Sequence, residues 1–151
     1  MSHHRASVSW SRAAETAFTY DTYSRDHLVT FGGGATLRAS AAVEYRGTAE
    51  LPNPEESLVA ALSTCHMLTF LAICAKKGLG VDRYVDEAEG HLEKNAEGRL
   101  AVTRVTLQPH VDFSPDVDVD EPALAKLHEA SHRGCFIAAS VTTRITVVSR
   151  R

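Results

Sequence analysis

No block of lysine and arginine interrupts this 151-residue chain, and aromatic residues do not interleave with basic ones. The electrostatic footprint of a nucleic-acid partner is therefore missing. Net charge is only −3, from 16 basic and 19 acidic residues spread along the chain. The N-terminus, "MSHHRASVSW", has no apolar run, so no secretory signal is expected. Cysteine is scarce and odd in number: three, separated by nine and sixty-one residues. That excludes the disulfide scaffold of a small secreted domain and favours a cytoplasmic chain with one or two working thiols. The run Gly32–Gly34 is not followed by Gly-Lys-Ser/Thr at the start of a helix, so it is not a phosphate loop. Repeats, low-complexity segments and linkers are also lacking. One domain over residues 1–151 is expected, long enough to bury a core.

What is present is ordinary in amount, with 44% apolar and 23% charged residues, as in a soluble globular protein. "ASVSWS" and "TAFTY" alternate as half-buried strands do. "HLVTF", the glycine run and "ATLRAS" predict a hairpin. A loop spans Ala41 to Asn53. A helix then starts with Asn53 as cap, Pro54 in the first turn and Glu55 and Glu56 at the positive end of the dipole. Lys76, Lys77 and Gly78 close it. Val81–Lys94 and Arg99–Phe113 read as two long strands joined by Asn95–Gly98. A second helix capped at or near Asp120 and a last strand, "TTRITVV", complete an α+β order with mostly antiparallel pairing.

The first helix is apolar nearly all round. Leu58–Ala75 contains only Ser63, Thr64, His66 and Thr69 as non-apolar residues, which is close to the ~20 residues of a membrane span. Those four sit at mid-depth, so a buried core helix is the reading adopted, with no membrane. One sheet of a small domain cannot cover such a helix on every side, and a second copy of the chain could.

Polar residues crowd around Cys65 in "STCH", where buried donors and acceptors need partners. Cys74 lies nine residues on, about 180° round the helix, and reads as inert core. His66 points about 100° away from Cys65 and is poorly placed as its base. His128-Glu129-x-x-His132 matches a zinc-protease pattern, but no His, Asp or Glu follows His132 to supply a third ligand. Cys135 follows Gly134 at the end of the second helix. Seventy residues separate it from Cys65, a distance that a fold easily closes into a disulfide-forming pair.

The stretch "NPEESLVAALSTCHMLTFL", followed by H-x-x-x-H-x-x-C-F-I-A-x-S-V over His128–Val141 and preceded by "YSRDH", resembles the OsmC/Ohr family. These are the osmotically inducible protein C and organic hydroperoxide resistance proteins. The likeness covers nearly the whole chain. It implies an OsmC-like α+β fold, with mostly antiparallel sheets around a long buried central helix and an intertwined homodimer. It also implies a thiol peroxidase for organic hydroperoxides. By that resemblance Cys65 corresponds to the peroxidatic cysteine, which becomes a sulfenic acid, and Cys135 to the resolving cysteine. Arg25 matches the arginine that lowers the thiol pKa and polarises the peroxide, and Glu55 the glutamate that holds that arginine.

No cofactor or metal is implied, only an external dithiol reductant such as a dihydrolipoyl protein or a thioredoxin-like protein. The apolar surroundings, including Met67 and Phe70, are expected to favour alkyl or lipid hydroperoxides. "CFI" at the second cysteine differs from the Ohr branch, where proline commonly follows, and places the chain in a less characterised OsmC-like branch. The competing expectations are a non-enzymatic apolar-ligand-binding protein and a zinc hydrolase built on His128, Glu129 and His132.

Overall fold

The N-terminal strands form because short alternating segments flank a glycine turn. In the computed structural model, which describes residues 1–149, they are β1 (Ala6–Ser9), β2 (His27–Phe31) and β3 (Thr36–Ala39). They make an antiparallel sheet in the order β1-β2-β3, with Ala6 opposite Phe31 and Thr30 opposite Thr36. Gly34 takes the left-handed φ of 88° that the hairpin turn requires. "TAFTY" is not a strand. Thr22 Oγ1 donates to the Ala17 carbonyl and ties the segment into a turn, and Phe18 packs at a tilt against Trp10 and Tyr23. Local hydroxyl bonding and aromatic clustering override the alternation there. These elements belong to one compact unit, Met1–Ser57; a second begins at Leu58.

Helix α1 (Pro54–Lys76) runs unbroken for 23 residues. Asn53 Oδ1 accepts the Glu56 amide at 2.8 Å, and the Glu56 carboxylate accepts the Asn53 amide at 3.0 Å. That reciprocal capping box fixes the first turn. Gly78, at φ 70°, ends the helix.

The two long strands expected after the helix are each broken. They become β4 (Val81–Asp86), β5 (Glu89–Lys94), β6 (Leu100–Leu107) and β7 (Pro109–Phe113). The breaks face one another, and Asp86 Oδ1 accepts the Gln108 amide at 2.6 Å across them. Pro109 has no amide to continue the ladder. The long hairpin therefore divides, β4 pairing with β7 and β5 with β6 in separate sheets. β8 (Arg144–Val147) joins β6 in parallel, the one parallel pair among the described strands. Helix α2 (Glu121–Gly134) is capped by Asp120, whose carboxylate accepts the Ala123 amide at 2.8 Å. It buries Leu124, Leu127, His128 and Ser131, the i, i+3, i+4, i+7 stripe of an amphipathic helix.

In the unit beginning at Leu58, α1 buries Leu62, His66, Phe70 and Cys74, one residue per turn. Phe70 and Cys74 pack with Val111, Val119, Leu124 and Leu127. Leu62 packs with Val105 and Leu107. Gly90 lets α1 lie close on β5, because a Cβ there would come within 2.4 Å of Val59 Cγ2. The opposite face of α1, with Ala61, Thr64, Leu68, Ala72 and Ala75, stays exposed. By length and composition α1 could cross a membrane, and only 22% of its most apolar window is buried within the chain. One chain covers one side of this helix, as its all-round apolarity predicts.

Candidate functional site

The site is assembled by α1 and the end of α2. Cys65 sits half-buried at the middle of α1, and Cys135 is the C-cap of α2, buried with 2% exposed. The fold brings the Cys65 thiol close enough to the Cys135 thiol to raise the pKa of Cys135. Both are free thiols, as is Cys74. Gly134 permits the approach: a Cβ on it would lie 3.0 Å from Thr69 Cγ2, one turn beyond Cys65. Thr69 Oγ1 donates back to the Cys65 carbonyl at 2.8 Å, which turns that hydroxyl inward along its own helix.

The Cys135 sulfur accepts the Ala138 amide at 3.4 Å, and the Ile137 amide lies near it. Burial pushes this thiol up, and Cys65 beside it adds to the effect, while the two amides act the other way. Cys74 is raised by burial and sits in the core among Phe70 and Val111, as expected of an inert thiol.

His66 does not serve Cys65. Its Nε2 lies 3.0 Å from His128 Nδ1, and the two rings stack at 5.3 Å between centroids. Phe70 stacks on His128 at 4.5 Å. Both imidazoles are pushed down to about 4, foremost by burial. Each keeps one ring nitrogen, His66 Nδ1 and His128 Nε2, without a partner among the described residues. The pair is held neutral, sharing one proton between the facing nitrogens. Ser63 Oγ donates to Asp86 Oδ2 at 2.5 Å, so the carboxylate at the strand break is also anchored to α1.

The His-Glu-x-x-His pattern disperses. His128 turns into the interior, His132 is exposed, and Glu129 pairs with Arg133 at 2.7 Å. Among the described residues no group of three His, Cys, Asp or Glu is arranged to hold a metal ion. Phe70, expected to line an apolar pocket, is fully buried. Leu68, one turn along α1 from Cys65, and Phe136, which follows Cys135 in sequence, reach solvent. A solvent-open cavity of about 630 Å³ lies elsewhere, lined by Glu93, Arg99, Arg104 and Arg144 among others; neither thiol borders it.

Arg25 belongs to the N-terminal unit. Its guanidinium donates to the Tyr23 and Tyr20 carbonyls and lies 3.7 Å from the Tyr23 ring centroid. Among the described residues no ion pair joins Arg25 to Glu55. Glu55 lies in the first turn of α1, ten residues before Cys65 on an unbroken helix. That is about 15 Å along the axis, which excludes direct contact between the two within one chain. Sequence reasoning missed the His66–His128 pair, the Ser63–Asp86 bond and the Ile137 and Ala138 amides. Only His66 left a signal, falling in line with Leu62, Phe70 and Cys74 at every fourth residue.

The pattern of the family described as OsmC-like protein matches residues 47–150 and so includes both thiols. The chain belongs to the OsmC-like family. A solved OsmC-like protein of unknown function from Vibrio cholerae is 42% identical, with a TM-score of 0.96 over 99% of this chain and 100% of that one. The organic hydroperoxide resistance protein OhrB of Bacillus subtilis shares the fold, with a TM-score of 0.69 at 16% identity over 98% of each chain. An uncharacterised Bacillus subtilis protein, YmaD, is 29% identical over 99 residues. That match spans 65% of this chain and 65% of YmaD's length.

Proposed function

We propose that this OsmC-like protein is a thiol-dependent peroxidase that reduces alkyl or lipid hydroperoxides to alcohols. The observation that carries the reading is the approach of the Cys65 and Cys135 thiols, seventy residues apart in sequence and close enough for one to shift the other's pKa. The family supports it, since solved relatives of this fold include organic hydroperoxide resistance proteins.

The Cys65 thiolate attacks the terminal oxygen of the hydroperoxide. The O–O bond breaks, the alkoxide leaves with a proton from solvent, and Cys65 is left as a sulfenic acid. Cys135 sulfur then attacks Cys65 sulfur and hydroxide leaves as water, giving the disulfide. An external dithiol, of the dihydrolipoyl or thioredoxin-like kind, restores both thiols, and no cofactor takes part. In the dimer, Arg25 and Glu55, which do not pair within one chain, take the parts of the arginine that stabilises the thiolate and polarises the peroxide and of the glutamate that holds it. The working form is a cytoplasmic homodimer in which a second copy packs on the exposed face of α1 and leaves Cys65 reachable at the edge of the interface. Leu68, one turn from Cys65, and Phe136, next after Cys135, are exposed and apolar and favour organic peroxides over hydrogen peroxide.

Stopped-flow oxidation of the reduced protein by cumene hydroperoxide tests this. Oxidation should be fast in the native chain and lost in Cys65→Ser. In Cys135→Ser a trapped sulfenic acid should accumulate, and hydrogen peroxide should react more slowly throughout. Oxidation no faster than that of a free thiol would sink the reading and leave an apolar-ligand-binding protein of the same fold.

A further inference from the structure

Thiol–disulfide exchange requires the attacking thiolate to approach one sulfur along the S–S axis, opposite the sulfur that leaves. Access to the attacked sulfur and stabilisation of the leaving one therefore set the direction. The two sulfurs here are unequal in both respects. Cys135 has 2% of its surface exposed and is enclosed within a single chain, so association with a second copy cannot open it. Cys65 is half-buried on a helix face whose neighbours Ala61, Thr64 and Leu68 reach solvent.

The Cys135 sulfur accepts the Ala138 amide at 3.4 Å, and the nearby Ile137 amide also favours its charged form. Among the described residues no backbone amide donates to the Cys65 sulfur. Burial opposes a thiolate at Cys135, and so does a charged Cys65 beside it. The second opposition disappears once the Cys65 sulfur is tied into a neutral mixed disulfide, and the amides then offset part of the first.

We propose that, in the oxidised protein, the external thiol attacks the Cys65 sulfur and the Cys135 sulfur is the one that leaves. The inference rests on the Cys65–Cys135 redox pairing proposed above, but not on which oxidant forms the disulfide. The thiolate of a dithiol bonds to Cys65 Sγ, the protein S–S bond breaks, and its electron pair passes to Cys135 Sγ. That thiolate rests on the Ile137 and Ala138 amides until solvent protonates it. The second thiolate of the same dithiol then attacks the dithiol's first sulfur and displaces Cys65 as a thiolate. The dithiol departs as a cyclic disulfide, oxidised by two electrons, and the protein regains both thiols. Cys135 never carries the reductant, and the covalent intermediate with the reducing partner is borne by α1.

The test makes the disulfide with diamide, so that its outcome does not depend on peroxidase activity. Excess 2-mercaptoethanol, which cannot cyclise, is added briefly. Acid quench, denaturation, capping of free thiols with maleimide and peptide mapping follow. The expected product carries mercaptoethanol on Cys65 and maleimide on Cys135. The reverse pattern, or an even split, overturns the proposal, and so does failure of diamide to join the two cysteines.

A second measurement reads access directly, by reacting the native single variants with a chromogenic aromatic disulfide. Cys65 in Cys135→Ser should react at least ~10-fold faster than Cys135 in Cys65→Ser. Comparable rates overturn the proposal. Joining by diamide but not by hydroperoxide would remove the peroxidase reading while leaving this one standing.

Discussion

Each polar side chain in the Ser63–His66 run has its own use. Ser63 anchors Asp86, Thr64 faces solvent, Cys65 meets Cys135, and His66 is spent on His128. The two cysteines were legible because their neighbours form a recognisable pattern in the sequence. The histidine pair was not, because its members lie 62 residues apart and His128 also satisfied a zinc-ligand pattern.

The pair makes stability depend on acid. In the unfolded chain each imidazole binds a proton near 6.5, whereas in the fold both are pushed down to about 4. The stabilisation is therefore fully present above 6.5 and is lost as pH falls from there towards 4. Protonating the first ring costs on the order of 3 kcal/mol, since each tenfold loss of proton affinity is worth about 1.4 kcal/mol. Urea midpoints measured between these pH values should fall steeply in the native protein and much less in His66→Leu/His128→Leu. An equal fall in both would place the acid sensitivity elsewhere.

At the scale of elements, α1 and α2 are legible from their caps, Asn53 and Asp120, and α2 also from its periodicity. The division of the long hairpin was not, since a run of alternating residues does not reveal where paired strands part. Asp86 and Pro109 decide that point, one by bonding to the Gln108 amide and to Ser63, the other by lacking an amide. Replacing Asp86 with alanine removes two charge-assisted hydrogen bonds and should cost about 3 kcal/mol in chemical denaturation. A change below a few tenths would show that the strand break holds itself.

The approach of the helices at Gly134 and Thr69 gives a kinetic prediction. Gly134→Val forces α2 away from α1 and should slow disulfide formation by about tenfold or more while sparing sulfenic acid formation. Rapid-quench analysis of both steps separates the two, and equal slowing of both would deny Gly134 a part in aligning the thiols.

For the whole molecule, the uncovered face of α1 is the outstanding feature. Ala61, Thr64, Leu68, Ala72 and Ala75 form a stripe along it, and Leu68 is 59% exposed. The sequence pointed to this through a helix apolar on every side, although which side a single chain leaves open depended on packing. Sedimentation equilibrium should find the native protein dimeric and Leu68→Arg largely monomeric; a monomeric native protein would contradict the assignment of that face.

Whether the thiols work as a pair can be read most directly by treating the reduced protein with one equivalent of cumene hydroperoxide and mapping its cysteines by mass spectrometry. A single Cys65–Cys135 disulfide, with Cys74 still free, is the predicted product. Both thiols remaining free, or oxidation falling on Cys74, would contradict the peroxidase account.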